Sequence, residues 1–105
     1  MDRSASQAAA NESIFREVNE RVEELAEGSP VRFLCECADP DCTVRLDVPL
    51  DEYERVRAHG DRFVVAPGHE RPELEAVVDV RDGYLVVRKT GETGALAREE
   101  DPRGG

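Results

Sequence analysis

Every cysteine of this chain falls within ten residues, F-L-C-E-C-A-D-P-D-C, as Cys35, Cys37 and Cys42. A histidine, His69, follows in the loop A-P-G-H-E. Three thiolates and one imidazole are a donor set for a closed tetrahedral zinc site. Cysteines at i and i+2 of a strand share one face, and the A-D-P-D turn can bring a third thiolate back to the same ion. A Pro-Gly loop suits the fourth ligand, because it can bend to the site without breaking a strand ladder. C-x-C is an uncommon zinc spacing, so the pattern is less specific than paired C-x-x-C motifs. Other readings stand beside zinc: buried thiols that only pack, reactive thiols of a redox sensor or redox enzyme, and an iron-sulfur cluster. An odd cysteine count excludes a fully paired disulfide framework within one chain, and grouped cysteines in a reducing compartment point to metal or thiol chemistry.

The residues around this cluster have plainer roles. Glu36, Asp39, Asp41 and Glu70 are possible oxygen ligands in place of His69, and they equally suit turn solvation around a metal. His59, beside Gly60 at the end of a helical stretch, fits a helix C-terminus, where a positive imidazole is favoured by the dipole. Phe33, Tyr53, Phe63 and Tyr84 lack a stripe of basic neighbours, so they read as core packing and not as a base-stacking platform.

Composition narrows the function classes. The 105 residues carry 14 basic and 24 acidic side chains, a formal net charge of -10, which repels phosphate backbones and disfavours direct nucleic-acid binding. The cations are all Arg except Lys89, and they alternate with acids. No apolar run approaches the roughly 20 residues of a membrane span, and the first residues lack the basic start and apolar middle of a secretory signal. A cytoplasmic protein with no membrane attachment is expected, and a chain of this length fits one core.

The elements that must carry the ligands follow from periodicity. Residues 1–10 are small and polar and are expected to be disordered, with Asn11 as a helix N-cap. Ile14, Val18, Val22 and Leu25 form an apolar stripe on a helix that ends at Gly28. V-R-F-L-C-E-C and C-T-V-R-L-D-V alternate at period two around a turn and predict a hairpin with both strand cysteines on one face. L-D-E-Y-E-R-V-R predicts a second helix with Leu50, Tyr53 and Val56 inward. R-F-V-V-A is a short strand, and the segments around Asp82-Gly83 predict a second hairpin. Residues 91–105 are rich in Gly and charge and are expected to be a disordered tail. The predicted fold is α+β: a small antiparallel sheet of two hairpins plus a short strand, with two helices, in a single domain spanning residues 11–90.

The blocks N-E-S-I-F-R-E-V-N-E-R-V-E-E-L, F-L-C-E-C-A-D-P-D-C-T, L-D-E-Y-E-R-V-R-A-H-G-D-R-F-V-V-A-P-G-H-E and G-Y-L-V-V-R-K together resemble a family of small actinobacterial Cys/His proteins, over about Asn11 to Lys89. The resemblance implies no substrate, but it implies that the P-G-H loop accompanies the cysteine segment as one site. A C-x-C pair with a further Cys and a His also resembles the cluster ligands of the CDGSH iron-sulfur family, which sets its third Cys and His around a D-G-S-H run that this chain lacks. The leading expectation is a small zinc-binding interaction or regulatory module, with a protein partner and with Cys35, Cys37, Cys42 and His69 as ligands. The competing expectation is a thiol-based redox sensor or enzyme using the same cysteines.

Overall fold

The structure, a computed structural model, describes residues 3–28 and 30–101. In chain order it contains α1 (Arg3–Leu25), β1 (Val31–Leu34), β2 (Arg45–Val48), α2 (Leu50–Arg57), β3 (Arg62–Val65), β4 (Glu75–Arg81), β5 (Tyr84–Lys89) and α3 (Gly91–Glu99). The strands form two antiparallel sheets, β1-β2 and β3-β5-β4. This is the expected small α+β fold of two hairpins plus a short strand, but the strands divide between two sheets instead of one, and there are three helices instead of two.

The turns follow their local chemistry. Asp82 and Gly83 join β4 to β5 in a two-residue loop, and Gly83 takes a φ of 87°, a conformation open to glycine at no steric cost. Pro49 stands at the N-cap of α2, where its missing N–H is no loss. Helix α2 then buries Tyr53 and Val56, as its spacing predicts. Tyr53 stacks on Phe33 with ring centroids 4.0 Å apart, and with Phe63, Val64, Val65, Tyr84, Val86 and Val87 these residues make the apolar core between the helices and the sheets.

Three expectations are corrected. Helix α1 begins at Arg3, so Asn11 lies inside it and is not a cap; the strong helix formers Ala8, Ala9 and Ala10 carry the helix upstream. The stripe expected to face inward also faces out: Ile14, Val18 and Leu25 are exposed, and only Val22 packs against the core. The buried side of α1 is polar, made of Glu12, Ser13, Arg16 and Asn19.

The third correction concerns the C-terminal segment. Helix α3 occupies residues expected to be disordered and packs on α1 and β5. Its Ala97 is buried, and the Ala97 carbonyl accepts a 2.7 Å hydrogen bond from Arg16 Nη2. Asp101, just beyond α3, is also buried and pairs with Arg57, which in turn holds Glu20. The last part of the expected tail, residues 102–105, and residues 1 and 2 of the expected N-terminal one lie outside the described residues.

Burying the polar side of α1 is feasible because Glu12, Arg16 and Asn19 each find partners, although the buried Ser13 hydroxyl and Arg16 Nε have none among the described residues. Lys89, the single lysine of the chain, pairs with both Glu12 and Glu75 in the interior. Burial raises the Glu12 pKa and lowers that of Lys89, and the Lys89–Glu12 attraction opposes both shifts. Buried charges of this kind persist only when paired and hydrogen-bonded.

Candidate metal centre

The two sheets meet at the C-E-C segment. The strand predicted to run through Cys37 leaves the hairpin ladder after Leu34. One more hairpin-side bond follows, from Cys35 N to Val44 O at 3.0 Å, and then the Glu36 N–H donates to Val64 O of β3 at 2.8 Å. Val64 returns the contact through its own N–H, which donates to Glu36 Oε1 at 3.0 Å. The chain between the two cysteines is thus pinned to β3 by backbone and side chain together.

Two proline-containing turns bring in the other donors. In Asp39-Pro40-Asp41-Cys42, the Cys42 N–H donates to Asp39 O at 3.1 Å, and the Asp41 N–H donates to Asp39 Oδ1 at 3.0 Å. In Ala66-Pro67-Gly68-His69, the His69 N–H donates to Ala66 O at 3.0 Å, with Gly68 at a φ of 90°. Pro followed by a positive-φ glycine is the sequence demanded by a type II turn. Each turn therefore ends on a candidate ligand, held at its fourth position.

These supports bring Cys35, Cys37, Cys42 and His69 together, with one donor atom from each lying within 4.8 Å of all the others. His69 Nδ1 stands 3.6 Å from Cys35 Sγ and 3.6 Å from Cys42 Sγ. A thiolate about 2.3 Å and an imidazole nitrogen about 2.0–2.1 Å from one ion, at the tetrahedral angle, are about 3.6 Å apart. The sulfur–nitrogen separations thus fit the edges of a tetrahedral S₃N site. Cys35 and Cys37 are buried, whereas Cys42 and His69 are half-buried at the rim.

The surroundings of Cys35 and Cys37 disfavour free reactive thiolates at those two positions. Burial pushes the thiols of Cys35 and Cys37 up. The Ala66 N–H, which donates to Cys35 Sγ at 3.2 Å, acts in the opposite direction. An N–H aimed at a sulfur is the support that a metal-bound thiolate needs for its residual charge.

Of the acids considered as alternative ligands, Glu36 points away from the cluster. It is fully buried and accepts from Asn19 Nδ2 at 2.9 Å and from Tyr53 Oη at 2.8 Å, besides Val64 N. Asp39 and Glu70 serve their own turns, Glu70 by accepting from the Gly68 N–H at 2.7 Å. His59 is exposed in the turn after α2 and takes no part.

Sequence reasoning overlooked Asn19. Its side-chain amide donates to Leu34 O and accepts from Leu34 N, at 2.9 and 2.8 Å, so α1 grips the chain just before Cys35. The signal was present in the polar series Glu12, Arg16, Asn19, which repeats at helical spacing as regularly as the apolar one.

Among the described residues no helix is long and apolar enough to cross a membrane. No protein-family model, curated protein or solved structure matches the chain.

Proposed function

We propose that Cys35, Cys37, Cys42 and His69 hold one zinc ion in a closed structural site, and that the chain is a small zinc-stabilised interaction or regulatory module. The observation that carries this reading is the pair of 3.6 Å separations from His69 Nδ1 to Cys35 Sγ and Cys42 Sγ, which suit a shared tetrahedral ion. Zinc is favoured over harder ions by the thiolate-rich donor set. Four protein ligands leave no open position for substrate, so the role is structural. The ion would tie the β1-β2 hairpin to the A-P-G-H turn, and in a core this small such a staple adds much of the stability.

The thiol-redox alternative is less well supported, since a reactive cysteine calls for a lowered pKa and access to solvent. Cys35 and Cys37 have the opposite surroundings.

Elemental analysis of protein purified without chelator tests the proposal. About one zinc per chain is expected, together with thiols that react slowly until a chelator is added. Metal-free protein whose three thiols titrate at once would overturn it.

A further inference from the structure

Helix α1 reverses the usual amphipathic arrangement. At 100° per residue, Ile14, Val18 and Leu25 fall within about 40° of arc, while Glu12, Arg16 and Asn19 fall on the opposite side. It is the polar side that is buried; Ile14, Val18 and Leu25 remain 57%, 42% and 80% exposed. Turning the helix over would break the Glu12–Lys89 pair, the hydrogen bonds from Arg16 to Gly60 O and Ala97 O, and the Asn19 contacts with Leu34 and Glu36. The apolar stripe is therefore fixed as a surface of the folded protein. Contiguous exposed apolar residues with a polar rim mark interaction sites.

The rim identifies the occupant. Ile14 and Val18 line a groove with Glu17, Glu20, Arg21 and Glu24, and an adjoining hollow shares Ile14 and Glu17 and adds Ser13 and Glu100. Glu20 pairs with Arg57. That leaves Glu17, Glu24 and Glu100 exposed around the stripe, and among the described residues that line the groove Arg21 is the single cation. A second copy docking here would set one acidic rim against another on chains of net charge -10, and like charges brought together oppose association.

We infer that the outer face of α1 binds a basic amphipathic helix of another protein. Apolar side chains of that helix, three and four residues apart, rest on Ile14, Val18 and Leu25, and its Lys or Arg residues face Glu17, Glu24 and Glu100. The inference gives the proposed interaction module its docking face. It rests on that reading only in supposing a protein partner, since the stripe lies on the side of α1 opposite the Asn19 contact with the cysteine segment.

The test is an NMR titration of the full ¹⁵N-labelled chain with a designed Leu/Lys peptide of about four helical turns, its apolar residues on one face. Two control peptides accompany it: a scrambled Leu/Lys sequence of equal charge and a Leu/Glu version. Saturable shift changes centred on residues 14–25 are expected. The scrambled peptide and the Val18→Ser/Leu25→Ser variant should each lose about tenfold or more in affinity, the scale of removing buried anchors. Glu17→Gln/Glu24→Gln should weaken binding and flatten its salt dependence. All variants should keep the wild-type melting temperature and metal content, which separates loss of the face from loss of the zinc site.

Equal binding of the scrambled peptide, or shifts spread over the whole acidic surface, would reduce the effect to net charge and overturn the proposal. Tight binding of the Leu/Glu peptide would do the same. A wild-type dimer in sedimentation equilibrium that Val18→Ser/Leu25→Ser dissociates would assign the face to a second copy instead.

Discussion

Asn19 of helix α1 donates its side-chain N–H to Glu36 Oε2 at 2.9 Å, so the residue between two clustered cysteines is held by a helix that precedes the first strand. The same amide completes two hydrogen bonds with the Leu34 backbone. Placement of the candidate metal centre and docking of α1 are therefore one structural event, with Glu36 as its buried junction.

Replacing Asn19 with Ala should cost about 2–3 kcal/mol in urea denaturation, because a buried carboxylate loses a donor and the Leu34 backbone groups lose their partner. Asn19→Asp should cost more, since it sets a second carboxyl oxygen against Glu36. An Asn19→Asp variant as stable as the parent would show that this contact does not hold the segment.

His69→Ala and His59→Ala distinguish ligand from bystander. Loss of His69 should lower zinc affinity by more than the roughly 10–100-fold typical of removing a group that only supports a ligand, and thermal stability should fall with it. His59 is exposed in the turn beyond α2, so its replacement should stay within about 0.5 kcal/mol. Competition with a chromophoric chelator and thermal melts, run on both variants, should rank them in the same order. Small and equal effects would remove His69 from the site.

The segment after β5 is part of the fold. Arg57 is buried between Glu20 and Asp101, so Asp101→Ala leaves a buried guanidinium with one of its two carboxylates and should cost about 3–5 kcal/mol. Truncation after Thr90 also removes the Ala97 carbonyl from Arg16 and should abolish a cooperative melt. A truncated protein with an unchanged melting temperature would mean that α3 does not dock.

Lys89→Met should destabilise in a pH-dependent way. The substitution leaves Glu12 and Glu75 buried without their cation, at a cost of about 3–5 kcal/mol near neutral pH. Burial already raises the Glu12 pKa, and the Lys89 charge that opposes this shift would be gone. A carboxyl whose folded pKa is raised contributes stability below its unfolded value and loses it as pH rises through the folded one. The deficit of the variant should thus be smallest near pH 4 and grow toward pH 7. Equilibrium denaturation of both proteins at each pH cancels the titration of the site ligands, and a deficit that grows toward acid would contradict the buried pairing. In the parent protein, Lys89 should resist amine acylation until the chain unfolds.

The four clustered side chains were legible from sequence because their placement is largely local. A-D-P-D-C and A-P-G-H each encode a turn through proline, with Gly68 supplying the positive φ in the second, and each turn ends on a donor. The Asp82-Gly83 hairpin and the inward face of α2 follow from equally short-range rules. That the first strand gives up its ladder after Leu34 was not legible, because the competing partner, Val64, lies 28 residues beyond Glu36.

The orientation of α1 required the tertiary structure. Its sequence carries an apolar and a polar stripe of the same period on opposite sides, and periodicity alone favours burying the apolar one. The polar stripe is buried because Lys89, the Leu34 backbone, Glu36, and the carbonyls of Gly60 and Ala97 supply its partners from distant parts of the chain. Helix α3 shows the same dependence: its glycine content suggested disorder, yet a Cβ on Gly94 would stand 2.8 Å from Lys89 O, so that glycine allows the helix to approach β5. Turn chemistry acts over a few residues and can be read along the chain. Which face of a helix loses its water depends on charges and backbone groups that only folding brings beside it.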